Sequence, residues 1–88
     1  MLKKNPNNDL PKVHKTSYVD SSAMLIGRVN IGKNVFIGPY AVVRADEPKS
    51  SITIGDNCNI QDRVIVHALK YTSVVIDGST SLAHGCIV

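Results

Sequence analysis

Aliphatic residues recur every six positions along most of this chain, and few folds satisfy that rhythm. Stepping by six from Val13 gives Val19, Leu25, Ile31, Ile37 and Val43. Four residues after the first five of these lie Ser17, Ala23, Val29, Val35 and Ala41, all small or medium. The phase resumes at Ile54, Ile60 and Val66, with Cys58 and Val64 in the four-on positions. It resumes again at Ile76, Leu82 and Val88, with Thr80 and Cys86. The two breaks insert five residues around 46–51 and four around 69–73. An amphipathic helix repeats at 3.6 residues and a half-buried strand at two, so neither alone explains a strict six.

Three six-residue units make an 18-residue coil with three flat sides. Stacked coils form an all-β, left-handed parallel β-helix, with one inward aliphatic residue per side. Backbone groups then pair between coils about 4.8 Å apart. The twelve aliphatic starts divide into about four coils. A sandwich of short alternating strands would not hold the phase across two insertions. Composition agrees, because Val plus Ile number 20 against five Leu and a single Glu, Glu47. That mixture favours strands over helices. Gly32, Gly38 and Gly55 each follow an aliphatic position, where a turn needs them. Residues 1–12 contain Pro6, Pro11 and three Asn, and read as an N-terminal arm or unstructured tail ahead of a solenoid domain at 13–88.

Lys and Arg exceed Asp and Glu by ten to seven. A net charge of +3 with no run of like charge argues against a nucleic-acid partner. No apolar run is long enough to span a bilayer, and the N-terminus lacks the apolar stretch of a secretory signal. The expected compartment is the cytoplasm, where Cys58 and Cys86 read as small buried thiols rather than a disulfide framework.

Removing the insertions puts the polar residues in register. Arg44 falls directly beneath His67, and Gln61 beneath Ala83, the neighbour of His84. The position above His67 is 89. His67 and His84 fall on different edges of the prism, so one chain can hardly bring both to one metal ion. A closed three-fold assembly would set the His67 edge of one chain against the His84 edge of the next. Arg44, Asp46, Asn59, Gln61 and Asp62 lie on nearby edges. The same cluster also suits a purely structural interface of salt bridges and amides. His14 has no polar company and reads as a surface residue.

The stretch VVRADEPKSSITIGDNCNIQDRVIVHALK, followed by SLAHGCIV, resembles the γ-class carbonic anhydrases and their hexapeptide-repeat relatives. The resemblance covers most of residues 13–88. Its most specific parts are R-A-D-E at 44–47, N-I-Q-D at 59–62, His67 and A-H-G at 83–85. It implies a homotrimer with zinc at each interface and reversible hydration of CO2 to bicarbonate, a lyase reaction. His67 would be a metal ligand from one chain and His84 from its neighbour. Gln61 would orient the attacking hydroxide, Asn59 would support the pocket, and Arg44 and Asp46 would pair between subunits. Glu47 stands where the family can place a proton-moving carboxylate. Imidazole ligands also suit iron, cobalt or nickel.

Three departures shape the expectation. The family's third histidine falls on position 89. The most active members carry a longer acidic loop, whereas here His67-Ala68-Leu69 is followed by Lys70. Family members are also longer, with further coils and a C-terminal helix. The chain is therefore expected to be an N-terminal half, truncated at its C-terminal end, with impaired hydration. A second polypeptide would complete the solenoid. The alternatives are a hexapeptide-repeat acyltransferase or thioester-handling relative using His84 as a base, or a non-catalytic scaffold from a truncated or split gene.

Overall fold

The computed structural model describes residues 1–88. It contains twelve short strands and no helix. Every pairing is parallel, and the strands sort into three sheets of four. Sheet A stacks β1 (Leu2–Lys3), β4 (Met24–Gly27), β7 (Val42–Ala45) and β10 (Ile65–His67). Sheet B stacks β2 (Lys12–Val13), β5 (Val29–Ile31), β8 (Ser51–Ile54) and β11 (Ser73–Ile76). Sheet C stacks β3 (Tyr18–Val19), β6 (Phe36–Ile37), β9 (Asn59–Ile60) and β12 (Ser81–Leu82). The chain visits A, B and C in turn, so each circuit is one coil of a left-handed β-helix of about four coils. No helix is long and apolar enough to cross a membrane.

Register follows the hexad arithmetic. Partners lie 18 residues apart where no loop intervenes, as Met24 with Val42. They lie 23 apart across the first insertion, as Val42 with Ile65, and 22 apart across the second, as Ser51 with Ser73. The expected stack of His67 on Arg44 is realised in sheet A. The pairing of Asn59 with Ser81 and Ile60 with Leu82 carries Gln61 to Ala83 in the same way.

The inward residues form one apolar column. Leu25, Ile37, Val43, Ile54, Ile60 and Val66 are fully buried, and Ala23, Val35, Ala41, Cys58 and Val64 fill the corners. The hexad pattern omits three further core residues, Ala45, Ile52 and Ala68. They sit where the inserted loops leave and rejoin the coil. A lengthened strand there turns every second side chain inward. At the last coil Val88 and Ile87 are exposed, and Ile76 retains only slight exposure.

Two local expectations change. Gly32, Gly38 and Gly55 do not adopt positive φ; the left-handed turn positions belong to Asn34, Tyr40, Asn57, Arg63 and Ser79 instead. What excludes a side chain at those glycines is the coil above. A Cβ on Gly38 would lie 2.8 Å from the Asp62 carboxylate, and one on Gly55 2.7 Å from the Gly78 amide. The N-terminal segment is also more than an unstructured tail. Leu2 and Lys3 pair with Leu25 and Ile26, and the Met1 amino group donates to the Ala23 carbonyl. The offset of 23 residues marks a third five-residue insertion, between β1 and β2.

All three insertions leave the prism at one corner, between sheets A and B. Coil two alone turns that corner without one, from Gly27 at the end of β4 to Val29 at the start of β5. Asn5 ties the first loop down: its amide donates to Ala45 O and to Asp9, and its side-chain oxygen accepts from the Asn7 and Asp9 amides.

Truncating a central column residue should cost most of its transfer energy plus a cavity. Ile60→Ala is expected to destabilise by about 2–5 kcal/mol. Val75→Ala, on the exposed face of β11, should change stability by no more than about 0.5 kcal/mol. Urea unfolding midpoints of the two variants test this directly.

Candidate functional site

Outward positions near the sheet A end of the A–B corner carry the first group. His67 closes β10, one coil above Arg44 of β7. Directly after β7 the chain enters the 46–50 loop, which begins with Asp46 and Glu47. The Arg44 guanidinium donates to both Asp46 carboxylate oxygens, at 3.3 and 3.1 Å. His67 Nε2 lies 2.9 Å from Glu47 Oε2 and 3.9 Å from Asp46 Oδ1. The Glu47 contact is close but off-line, so the buried Nε2 has no hydrogen-bond partner. The other Glu47 oxygen accepts from the Lys70 amide at 3.0 Å. That contact joins the two inserted loops across one coil.

Burial of Asp46 favours its neutral form. The Arg44 hydrogen bonds, a backbone hydrogen bond and the Arg44 and His67 charges outweigh that and hold its pKa below the ordinary carboxylate value.

The second group occupies sheet C and the C–A corner. Asn59 lies on β9 and Gln61 just beyond it. Asp62 and Arg63 turn the corner, with His84 and Gly85 one coil above; together these four line a recess of about 330 Å³. His84 Nδ1 stands 4.0 Å from Asp62 Oδ1, with 70% of the His84 side chain exposed. Asn59 Oδ1 is buried without a hydrogen-bond partner.

The structure thus brings Arg44, Asp46, Glu47 and His67 together on one edge, and Asn59, Gln61, Asp62 and His84 on another. It does not join the two groups, and within one chain no three His, Cys, Asp or Glu side chains converge on a metal position. The residues nonetheless fit a metal on their chemistry. His67 presents a buried imidazole nitrogen with no aligned partner, and His84 an exposed imidazole at a corner. His14 is occupied elsewhere, sharing Nδ1 with the Thr16 hydroxyl and amide. Lys70 escapes a reading by residue type because it acts through its backbone amide. Only the register that places residue 70 one coil above 47 reveals it.

A left-handed solenoid of parallel hexapeptide coils defines the class of protein. Comparison with known sequences agrees. A carbonic anhydrase of Methanosarcina thermophila is 44% identical over 66 residues, 75% of this chain and 26% of that protein. The carnitine operon protein CaiE of Escherichia coli O157:H7 is 37% identical over 84 residues, 90% of this chain and 42% of its own length. CaiE of Escherichia fergusonii matches to the same extent. The chain therefore spans less than half the length of these relatives. No family model matches the chain. Repeat, fold and relatives together support one assignment: the chain is similar to the γ-class carbonic anhydrases and their hexapeptide-repeat relatives.

The depressed Asp46 pKa makes a signed prediction. A carboxyl group with a lower pKa folded than unfolded stabilises the fold fully above its unfolded value, near about 4, and loses that contribution as pH falls through the folded value. Wild type should therefore exceed Asp46→Asn in stability at neutral pH, with the gap closing below about pH 4. A gap that stays constant across the acid range, in urea unfolding, contradicts the Arg44–Asp46 account.

Proposed function

We propose that this chain supplies the two halves of a γ-carbonic-anhydrase-type site, completed between subunits of a homotrimer, for the zinc-dependent interconversion of CO2 and bicarbonate. The observation that carries the reading is the placement of two imidazoles, His67 and His84, on different edges of one prism, each among a different set of polar groups. Cyclic assembly is the simplest way to unite such edges.

In this reading His67 and His84 of adjacent chains hold the metal. Catalytic zinc takes three protein ligands and keeps a fourth position open. The bridge between Ile65 and Ile87 continues the register, so the position stacked on His67 is the one following Val88. That position is where a third ligand belongs. Bound zinc supplies a hydroxide nucleophile near neutral pH by lowering the pKa of water to about 7. The chain's own residues do the rest. Asn59 and Gln61, on the His84 edge, orient the nucleophile and CO2. Glu47 sits beside His67 and accepts or releases the proton, and the Lys70 amide fixes its carboxylate. Arg44 and Asp46 brace the His67 edge. Iron, cobalt or nickel would satisfy the same imidazoles. The reading places the protein in the cytoplasm, a reducing compartment in which free Cys58 and Cys86 persist.

The test is metal content and CO2 hydration in the trimer-sized fraction of a chain lengthened by one histidine after Val88. We expect about one metal per chain, and loss of metal in His67→Ala and in His84→Ala. Co-assembling the two variants should restore about one site of three in each mixed trimer. Failure of mixing to restore any metal, with trimers intact, rejects the shared site.

The exposed His84 beside Asp62 supports a second reading, with His84 as general base of an acyl transfer to or from a thioester. Saturable acetyl-CoA binding that His84→Ala abolishes would favour it.

A further inference from the structure

Away from both imidazoles, the A–B corner contains a slot that the proposed chemistry does not use. Coil two has no loop there, while coils one and three do. The gap left between the first loop and the 46–50 loop is a recess of about 500 Å³. Asn7, Asp9, Arg28, Lys49, Ser50, Ser51 and Ser73 line it, with no apolar residue among them. A second recess of about 460 Å³ continues past Arg28 and Asp9 towards Lys12 and Asn30.

The slot is built rather than incidental. Arg28 stands one register step before the Val29–Ile52 pair, beneath Ser51, and Ser51 pairs with Ser73 above it. The two serine hydroxyls lie 2.8 Å apart. Asn5, itself buried, fixes the Asp9 side of the slot. On the opposite side, Ser50 is buried and donates to Glu47 O, which sets the loop at Lys49.

The donor inventory then decides the ligand. The Arg28 guanidinium, the Lys49 ammonium and the Asn7 side-chain amide are donors with capacity to spare, and the Ser51–Ser73 pair keeps one free hydroxyl hydrogen, Ser50 having given its own to Glu47 O. The one carboxylate, Asp9, already accepts from Asn5, and it stands 3.6 Å from Arg28, too far for a hydrogen bond. Two cations against one anion leave the slot with an excess positive charge. Planar guanidinium with hydroxyl and ammonium donors is the chemistry that recognises a tetrahedral oxyanion. We propose that this slot binds a phosphate-type dianion, either inorganic phosphate or a phosphate monoester. The proposal does not depend on the metal-site reading, since none of Arg44, Asp46, Glu47, His67, Asn59, Gln61, Asp62 or His84 lines the slot.

The experiment is a titration of the 88-residue chain with inorganic phosphate at constant ionic strength, followed by amide NMR, and the same titration with glycerol phosphate. Saturating shifts confined to residues 7–9, 28, 49–51 and 73 are expected. The double variant Arg28→Gln, Lys49→Gln should weaken binding by about tenfold or more. Asp9→Asn, which removes the opposing charge, should tighten it. Tighter binding of glycerol phosphate than of phosphate assigns a monoester as the ligand; equal or weaker binding assigns free phosphate. Arg28 and Lys49 are exposed, so the double variant keeps the fold, checked by an unchanged amide spectrum outside the slot. Linear, unsaturated shifts spread over all lysines overturn the proposal. So does saturable binding that is undiminished in the double variant.

Discussion

Everything in this molecule hangs on the parallel pairing of each coil with the one below. A single turn of the chain has no second layer to bury its aliphatic side chains, so its stability comes from neighbours above and below. The inward side chains of Leu25, Ile37, Val43, Ile54, Ile60 and Val66 are all fully buried in one cluster. Polar ties at the corners reinforce the same stacking. Ser17 donates to Gly32 O and accepts from the Val35 amide, and Asp56 accepts from the Lys33 amide on the coil beneath. Steric exclusion completes the constraint, because the carboxylates of Asp56 and Asp62 press against Gly32 and Gly38.

That constraint made most of the fold readable. Six-residue spacing fixes which side chain faces inward, and its two phase breaks locate the loops at 46–50 and 68–72 within a residue or so. The register of His67 over Arg44 follows by addition. What spacing could not show lies where the hexad is not the controlling pattern. Ala45, Ile52 and Ala68 enter the core because a loop lengthens the strands on either side. Leu2 escaped because a five-residue insertion hides its phase behind Pro6, Pro11 and the asparagines. The glycines were located by their place in the hexad, but the reason for them is crowding between coils, which is invisible one coil at a time.

The site was legible to the extent that it depends on register. Stacking sets Arg44 beneath His67 and Gln61 next to the His84 edge before any coordinate is known, whereas the grouping of Asp46 and Glu47 with His67, and of Asp62 with His84, comes from the structure. The hydrogen bond from the Lys70 amide to Glu47 was not legible, since a backbone donor carries no residue signature. Nor were the buried, unpartnered Nε2 of His67 and Oδ1 of Asn59, which are properties of packing rather than of sequence. Asn59 Oδ1 has no partner in the folded chain, and His67 Nε2, though 2.9 Å from Glu47 Oε2, makes no aligned hydrogen bond.

The fixed offsets of 18, 22 and 23 residues between paired strands have a consequence for how the chain reaches its native state. Every contact spans about one coil, whichever end of the molecule is considered. Loop-closure cost is therefore nearly the same at each rung, and no single long-range contact has to form first. A nucleus of two paired coils can arise anywhere along the stack and extend in both directions, as a zipper does. A coil paired on both of its faces is expected to open last, so exchange protection should be high for amides of β5 to β8, each of which pairs above and below.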